Sequence, residues 1–385
     1  MTRVLLPRAD GTVGTRVLNG PRAWQRPDGP SRSRVAFAAA HVVPRIGAEN
    51  VPGAPADLDW DATLAFRERL WGWGLGVAEA MDTAQRGMGL DWAATHELIT
   101  RSAARAREVG GRIAAGAGTD HLAPGASVEQ VLTGYLEQVE VVEQAGAQVI
   151  VMASRHLAAA ARGSQDYLRV YSHVLERTAE PVILHWLGEA FDPALAGYWG
   201  SGDLDVATET VLELVHAHAS AVDGIKVSLL DAERERTIRA ALPAGVRLYT
   251  GDDFHYPELI AGDHGAHSDA LLGVFAAIAP AASAGLQALD AGDTEAFHEV
   301  LDPTLPLARH LFAAPTYYYK TGIAFLAWLD GAQPGFAMVG GLHSARSAVH
   351  LARCLELADD AGLLADPELA ARRWSALAAS YGVEA

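Results

Sequence analysis

Ala221-Val222-Asp223-Gly224-Ile225-Lys226-Val227-Ser228 is an apolar run with one lysine embedded near its end. Apolar runs that do not alternate with polar residues fit parallel strands buried on both faces. A strand interior rarely tolerates an unpaired ammonium, because burying a charge is costly. Burial also lowers the pKa of a lysine, giving a free amine near neutrality that can attack a carbonyl. The resulting iminium is an electron sink that stabilises a carbanion on the adjacent carbon. The same pattern fits a structural lysine whose ammonium snorkels or is salt-bridged.

Outward from this run the same rhythm recurs in both directions: short apolar stretches alternate with amphipathic helical ones, the mark of repeated βα units. Upstream the expected strands are 34–40, 74–80, 112–117, 148–152 and 181–185, with helices over 61–71, 93–109, 128–145, 167–178 and 207–220 between them. Downstream come a short helix at 231–241, a seventh strand at 246–250 and an eighth at 271–278. That eighth run, rich in alanine, reads equally as helix. Helical stretches then occupy 294–300, 306–313, 317–329, 344–361 and 367–379. The fold class is therefore α/β, a (β/α)8 barrel over 34–280, with a C-terminal helical extension over 281–385. Residues 1–33 form an N-terminal extension, in which Asp10-Gly11 between short apolar runs predicts a hairpin.

Half of the 385 residues are hydrophobic and 20% are charged, the profile of an ordinary globular protein. The net charge of −17 argues against nucleic acid as a partner, since phosphate binding needs a concentrated basic surface. No run approaches the roughly 18 apolar residues of a membrane span, and Met1–Gly14 has no signal-peptide core, so a cytoplasmic location is expected. Cys354 is the single cysteine and sits in an apparently helical stretch, which excludes an internal disulfide and fits a small buried hydrophobe. High Ala, Gly and Arg with few Lys is the composition of a GC-rich bacterial genome.

In such barrels the active site gathers at the C-terminal ends of the strands. The residues falling there are His41, Asp82 and Thr83, Asp120 and His121, Arg155 and His156, His185, Lys226, then Asp252, Asp253 and His255, with Asp269 ahead of the eighth strand.

Several segments, in order, resemble the dihydrodipicolinate synthase and N-acetylneuraminate lyase superfamily. Val222-Asp223-Gly224-Ile225-Lys226 resembles its Schiff-base strand, and Tyr249-Thr250-Gly251-Asp252-Asp253 its Ser-Gly-Asp-Asp turn after strand seven. Pro257-Glu258-Leu259 and the Gly262–Ser268 run are similar to the family's Leu-Pro-x-Leu and Gly-Ala-x-Gly segments beyond that turn. Pro181-Val182-Ile183-Leu184 matches the strand that precedes the family's catalytic tyrosine. Ala114-Ala115-Gly116-Ala117-Gly118 and Lys320-Thr321-Gly322 also have counterparts there. The resemblance covers roughly residues 34–365 and implies a class I lyase or aldolase with Lys226 as the iminium-forming residue. It implies a small carbonyl substrate, no cofactor, no metal and a homo-oligomer.

Two departures point to a divergent bacterial branch. His185, followed by Trp186, stands where the family has its tyrosine, and histidine can shuttle the same proton at neutral pH. The family's Gly-Thr-Thr-Gly-Glu loop, which holds a 2-oxo acid carboxylate, corresponds to Asp82-Thr83-Ala84-Gln85-Arg86. There Thr83 keeps one hydroxyl and Arg86 offers a bidentate grip on a carboxylate. Asp82, Asp252, Asp253 and His255 complete the expected substrate-binding set, the two aspartates of the later turn also reading as loop or helix caps.

Two other readings remain open at this point. One is a metal-dependent barrel lyase or isomerase using His41, Asp82, His121, His156, His185, Asp252, His255, His264 and His267, although no tight signature such as His-Glu-x-x-His occurs. The other is a non-catalytic barrel that binds a sugar-like ligand among Trp186, Phe191, Tyr198, Trp199 and Phe254, aromatics that fit packing roles equally well.

Overall fold

The structure is a computed structural model that describes residues 2–81, 85–263 and 265–383. Strands β1 (Arg3–Pro7) and β2 (Val13–Val17) pair antiparallel, and Asp10 caps their turn by accepting the Thr12 amide at 3.0 Å. The connector then leads into the alternating body. It consists of β3 (Ala36–Ala39), α1 (Trp60–Trp71), β4 (Gly76–Glu79), α2 (Trp92–Val109), β5 (Ile113–Ala117) and α3 (Val128–Ala145). Next come β6 (Gln148–Val151), α4 (Arg155–Ala160), α5 (Ser164–Leu175), β7 (Val182–Leu187), α6 (Leu204–Ala217) and β8 (Val222–Ser228). It closes with α7 (Ala232–Ala241), β9 (Arg247–Thr250), α8 (Tyr256–Ala261), β10 (Asp269–Leu272) and α9 (Phe275–Asp290). All eight barrel strands are parallel, and β10 pairs with both β9 and β3, so the sheet is a closed (β/α)8 barrel.

Local chemistry sets the helix starts. Asp59, Asp91 and Ser127 each accept an amide of the first turn of α1, α2 and α3, and Ser127 forms a full capping box with Gln130. Helix α2 stops at Gly110, whose φ of 69° is a left-handed geometry that glycine adopts without strain.

Period-two alternation divides each strand between two environments. Phe37, Ala39, Ala78, Ala114, Ile150, Ile183, Tyr249 and Leu271 meet in a compact cluster inside the barrel. Intervening residues such as Ala38, Val77, Ala115, Val149, Leu184 and Ile225 belong to the larger core between sheet and helices.

The eighth strand corrects the expectation. It spans Asp269–Leu272 rather than 271–278, because its ladder to β3 ends at Leu272 and the Ala-rich remainder becomes α9. Asp269 therefore opens the strand, where it accepts the Val35 amide at 2.6 Å. This places it at the end of the barrel opposite the strand C-termini. The fifth barrel strand runs two residues past His185, since β7 stays paired with β8 as far as Leu187 and Ser228. Helix α9 runs across position 280, where the barrel and extension were expected to join.

Beyond it lie α10 (Thr294–Leu301), α11 (Leu305–Leu311), α12 (Tyr319–Leu329), α13 (Ala348–Asp360) and α14 (Pro367–Ser380). The hairpin docks on the last two. Arg16 pairs with Asp359 and with Asp360 at 2.7 Å, and the Trp374 indole donates to the Leu5 carbonyl at 2.7 Å. Among the described residues, no helix is long and apolar enough to cross a membrane.

Candidate active site

Ile183 and Gly224 are register partners, as are His185 and Lys226 two residues on. Ile183 faces the barrel interior, so alternation carries His185 and Lys226 inward as well, one layer nearer the strand ends. Lys226 is 8% exposed and His185 2%. The strand ladder thus sets an amine and an imidazole side by side. On its other flank Lys226 is in register with Tyr249, two residues before Gly251. A Cβ at Gly251 would lie 2.8 Å from Lys226 Cε and 2.1 Å from Ser228 Oγ, so only glycine lets the lysine stem cross that strand.

His185 Nε2 lies 3.2 Å from Ser228 Oγ. Burial, with a smaller contribution from the Lys226 charge, holds the imidazole well below its ordinary pKa, so it is neutral at neutral pH. Asp253 is buried and caps the next turn, accepting the Val274 amide at 2.9 Å. Burial raises its carboxyl to about 7 against the opposing pull of Val274, Lys226 and Lys320.

Lys320, on the first turn of α12 and within the Lys320-Thr321-Gly322 segment, lies outside the strand ends. Its ammonium reaches in from the extension to the Ala39 carbonyl at the end of β3, and it is 2% exposed. Burial lowers its pKa to about 7. The available signal is a lysine inside the otherwise apolar Tyr319–Leu329 window.

The other expected residues are spread more widely. Asp82 and Thr83 lie outside the described residues. Arg86 directs its donors at protein groups: Asp120 at 3.1 and 2.6 Å, the Ala80 and Gly116 carbonyls at 3.1 and 2.7 Å, and the Gln138 amide oxygen. The expected grip on a substrate carboxylate is thereby replaced by an anchor that ties the loop after β4 to the end of β5. Burial raises the Asp120 pKa, but the Arg86 charge and hydrogen bond, with the Gln138 and backbone hydrogen bonds, together bring the net shift downward. Asp252 accepts from the Phe254 and His255 amides at 2.8 and 3.2 Å and from the His255 ring at 2.9 Å. It orders the turn after β9, with His255 half-buried beside it.

His41 packs edge-on against Phe66, lies 2.6 Å from the Gln333 amide oxygen, and is driven by burial down to about 3. His121 is held between Gln138 and Glu137, and His156 against Thr119. Arg155 pairs with the buried Asp192. His264 is outside the described residues. Among those described, the strand-end histidines and carboxylates do not converge on a common ion position, and the one His/Cys/carboxylate group that does so is His310, His350 and Cys354 in the extension. Trp186, Tyr198 and Trp199 pack with Tyr167 and Tyr171 behind the barrel wall, not around its mouth.

The fold and this inward-facing lysine define a class: a (β/α)8 barrel with a buried amine at the C-terminal end of strand six. The sequence profile described as "Protein of unknown function (DUF993)" matches residues 4–383, and the chain belongs to that family. Solved structures of the dihydrodipicolinate synthase family share its fold. The enzyme from Aquifex aeolicus aligns with a TM-score of 0.64 at 14% identity, covering 86% of this chain and 99% of its own. A prophage protein of that family from E. coli K12, in complex with pyruvate, gives 0.67 at 14%, with the same coverages of 86% and 99%. The chloride-inhibited enzyme from Acinetobacter baumannii, complexed with pyruvate, gives 0.64 at 16%, again over 86% and 99%. No curated protein matches the chain.

Proposed function

We propose that this chain is a class I lyase of the aldolase type, acting on a small oxo acid or sugar-derived carbonyl compound through an iminium on Lys226. The observation that carries this reading is the ladder pairing of Lys226 with His185 on the inner face of the barrel. The neutral Lys226 amine adds to the substrate carbonyl to give a carbinolamine. Loss of water from it leaves the iminium, which takes up the electron pair when the neighbouring carbon–carbon or carbon–oxygen bond breaks. His185, kept neutral by burial, accepts a proton at Nε2 and returns it to the leaving water or the carbanion. Ser228 Oγ at 3.2 Å provides a hydroxyl through which that proton can pass.

Asp253, with a pKa near 7, balances the Lys226 and Lys320 charges as the amine cycles between charge states. Thr83 and Asp82 are assigned to the substrate. Asp252 orders the turn after β9 and, with His255, is assigned to the substrate. A homo-oligomer is part of this reading, and sedimentation of the purified protein checks it.

The experiment is borohydride trapping. The protein is incubated with pyruvate, other small keto acids and sugars, reduced, and mapped by peptide mass spectrometry. The expected result is a stable increment on Lys226 with at least one carbonyl compound. An adduct-free Lys226 across the whole panel, with activity abolished by a chelator, sinks the proposal in favour of metal-dependent chemistry.

A further inference from the structure

We propose that His310, His350 and Cys354 form a binding site for one soft monovalent cation, copper(I), set in the C-terminal extension and distinct from the barrel mouth. One ligand atom from each lies within 4.8 Å of the others. Helix α11 supplies His310, and α13 supplies His350 and Cys354 at i and i+4, which places those two on one helix face.

Three features distinguish this group from a chance meeting of polar side chains. First, His350 Nε2 is buried and has no hydrogen-bond partner, an arrangement that costs stability unless something occupies the nitrogen. Second, His310 Nε2 donates to the His350 carbonyl at 2.9 Å, the outer hydrogen bond that fixes the tautomer and orientation of a ligating imidazole. Third, a cavity of about 510 Å³ lined by Leu6, Pro7, Arg8, His310, His350 and Arg353 gives an entry path from solvent, whereas Cys354 itself is fully buried.

The surroundings select the ion. Thiolate and imidazole together favour soft or borderline metals. The charge of Arg346 acts on all three residues, and its guanidinium is anchored on the Ala313 and Pro315 carbonyls at 2.7 and 3.0 Å. A divalent ion with one thiolate and two neutral imidazoles leaves a net positive centre beside that buried guanidinium, a repulsion in low dielectric, and Glu356 of the same cavity wall is already paired with Arg16 and Arg353. A monovalent ion with the same ligands is neutral. Coordination releases the thiol proton to solvent and closes the ligand atoms to about 3.5–3.7 Å, as bond lengths near 2.0 and 2.3 Å require. The two rings, now stacked with centroids 4.1 Å apart, swing so that their lone pairs converge.

The test uses the full chain, reduced and anaerobic, titrated against a preformed copper(I)–bathocuproine disulfonate complex whose colour falls as the protein withdraws the ion. One equivalent is expected to transfer, with one sulfur and two nitrogen neighbours in X-ray absorption. Cys354→Ser and His310→Gln are each expected to weaken binding by more than about 100-fold, beyond the 10–100-fold that loss of an outer-shell partner costs. His96→Gln, at an exposed ring elsewhere, leaves it unchanged. His310 is only half-buried, so its variant decides the matter even where Cys354→Ser does not fold. The proposal is overturned by copper remaining with the chelator, by a His310→Gln variant that binds like the parent, or by preferential uptake of zinc(II) offered at equal concentration.

Discussion

On the outer face of the barrel wall, Glu79 meets Arg67 of α1 through contacts of 2.8 and 2.7 Å, and Arg67 also reaches the His41 and Thr63 carbonyls. Both side chains are fully buried. On the inner face, Lys226 stands beside His185, with Asp253 and Lys320 exerting charge at the same mouth. The outer pair satisfies opposite charges and locks helix to sheet. The inner set has Asp253 and Lys320 each pushed to about 7 from opposite sides, so that protonation there is nearly balanced near neutrality. Locking and poising thus fall on opposite faces of one barrel wall, and each can be perturbed alone.

The largest expected effect is on the inner face. Lys226→Ala should cut turnover by about 10⁴-fold or more and abolish borohydride trapping, while the unfolding midpoint stays close to the parent. Equal loss of stability and activity would place Lys226 with the locking groups. Next, Arg67→Met strands the Glu79 charge and should destabilise the fold by about 3–5 kcal/mol in urea unfolding, with Glu79→Leu added to it recovering part of the loss.

Lys320→Met sits between the two faces. It leaves the Ala39 carbonyl without its donor, at a cost of about 1–3 kcal/mol. Its pH signature has a definite sign. The folded pKa near 7 lies below the ordinary 10.5, so between those values the unfolded chain binds more protons and this group makes stability rise with pH. The variant should lose that rise in melts between pH 7 and 10. Removing one of two facing positive charges should also move the Lys226 trapping profile to higher pH.

The smallest effect is expected at Glu235 on α7, an outer-face carboxyl that accepts from Thr250 and Ser268 at 2.9 and 2.7 Å. Burial raises it to about 8 from an ordinary 4.5, so its contribution to stability falls as pH rises from 4.5 through 8. Glu235→Gln should flatten that fall in melts between pH 5 and 8 and leave turnover unchanged. A large loss of activity in this variant would show that near-neutral titration on the outer face also serves the chemistry.

Much of the barrel is legible in the sequence because its strands are short apolar runs closed by polar punctuation. Helix 128–145 is bounded by Ser127 and Gly146 and coincides with its expected limits. The eighth strand is displaced because Leu271–Ile278 has no local signal separating strand from helix; the partners β3 and β9 make that choice. Lys226 is conspicuous in one dimension as a charge in an apolar run. Arg86 is not, since its partners Asp120 and Gln138 lie 34 and 52 residues away and turn a plausible substrate grip into an anchor. Lys320 is visible in the Lys320-Thr321-Gly322 segment, but its place at the mouth is not, because its contact with Ala39 spans 281 residues.

The docked hairpin bears on how the chain is made. The Trp374 indole meets the Leu5 carbonyl across 369 residues, so the first two strands leave the ribosome long before their seat on α13 and α14 has been translated. Until then they form an isolated two-stranded ribbon, which is marginal in water and has Val13 and Val17 exposed. Loop-closure entropy grows only logarithmically with length, so thermodynamics tolerates so distant a clasp, but the rate of such a non-local closure suffers. The clasp therefore cannot close before α13 and α14 have been made.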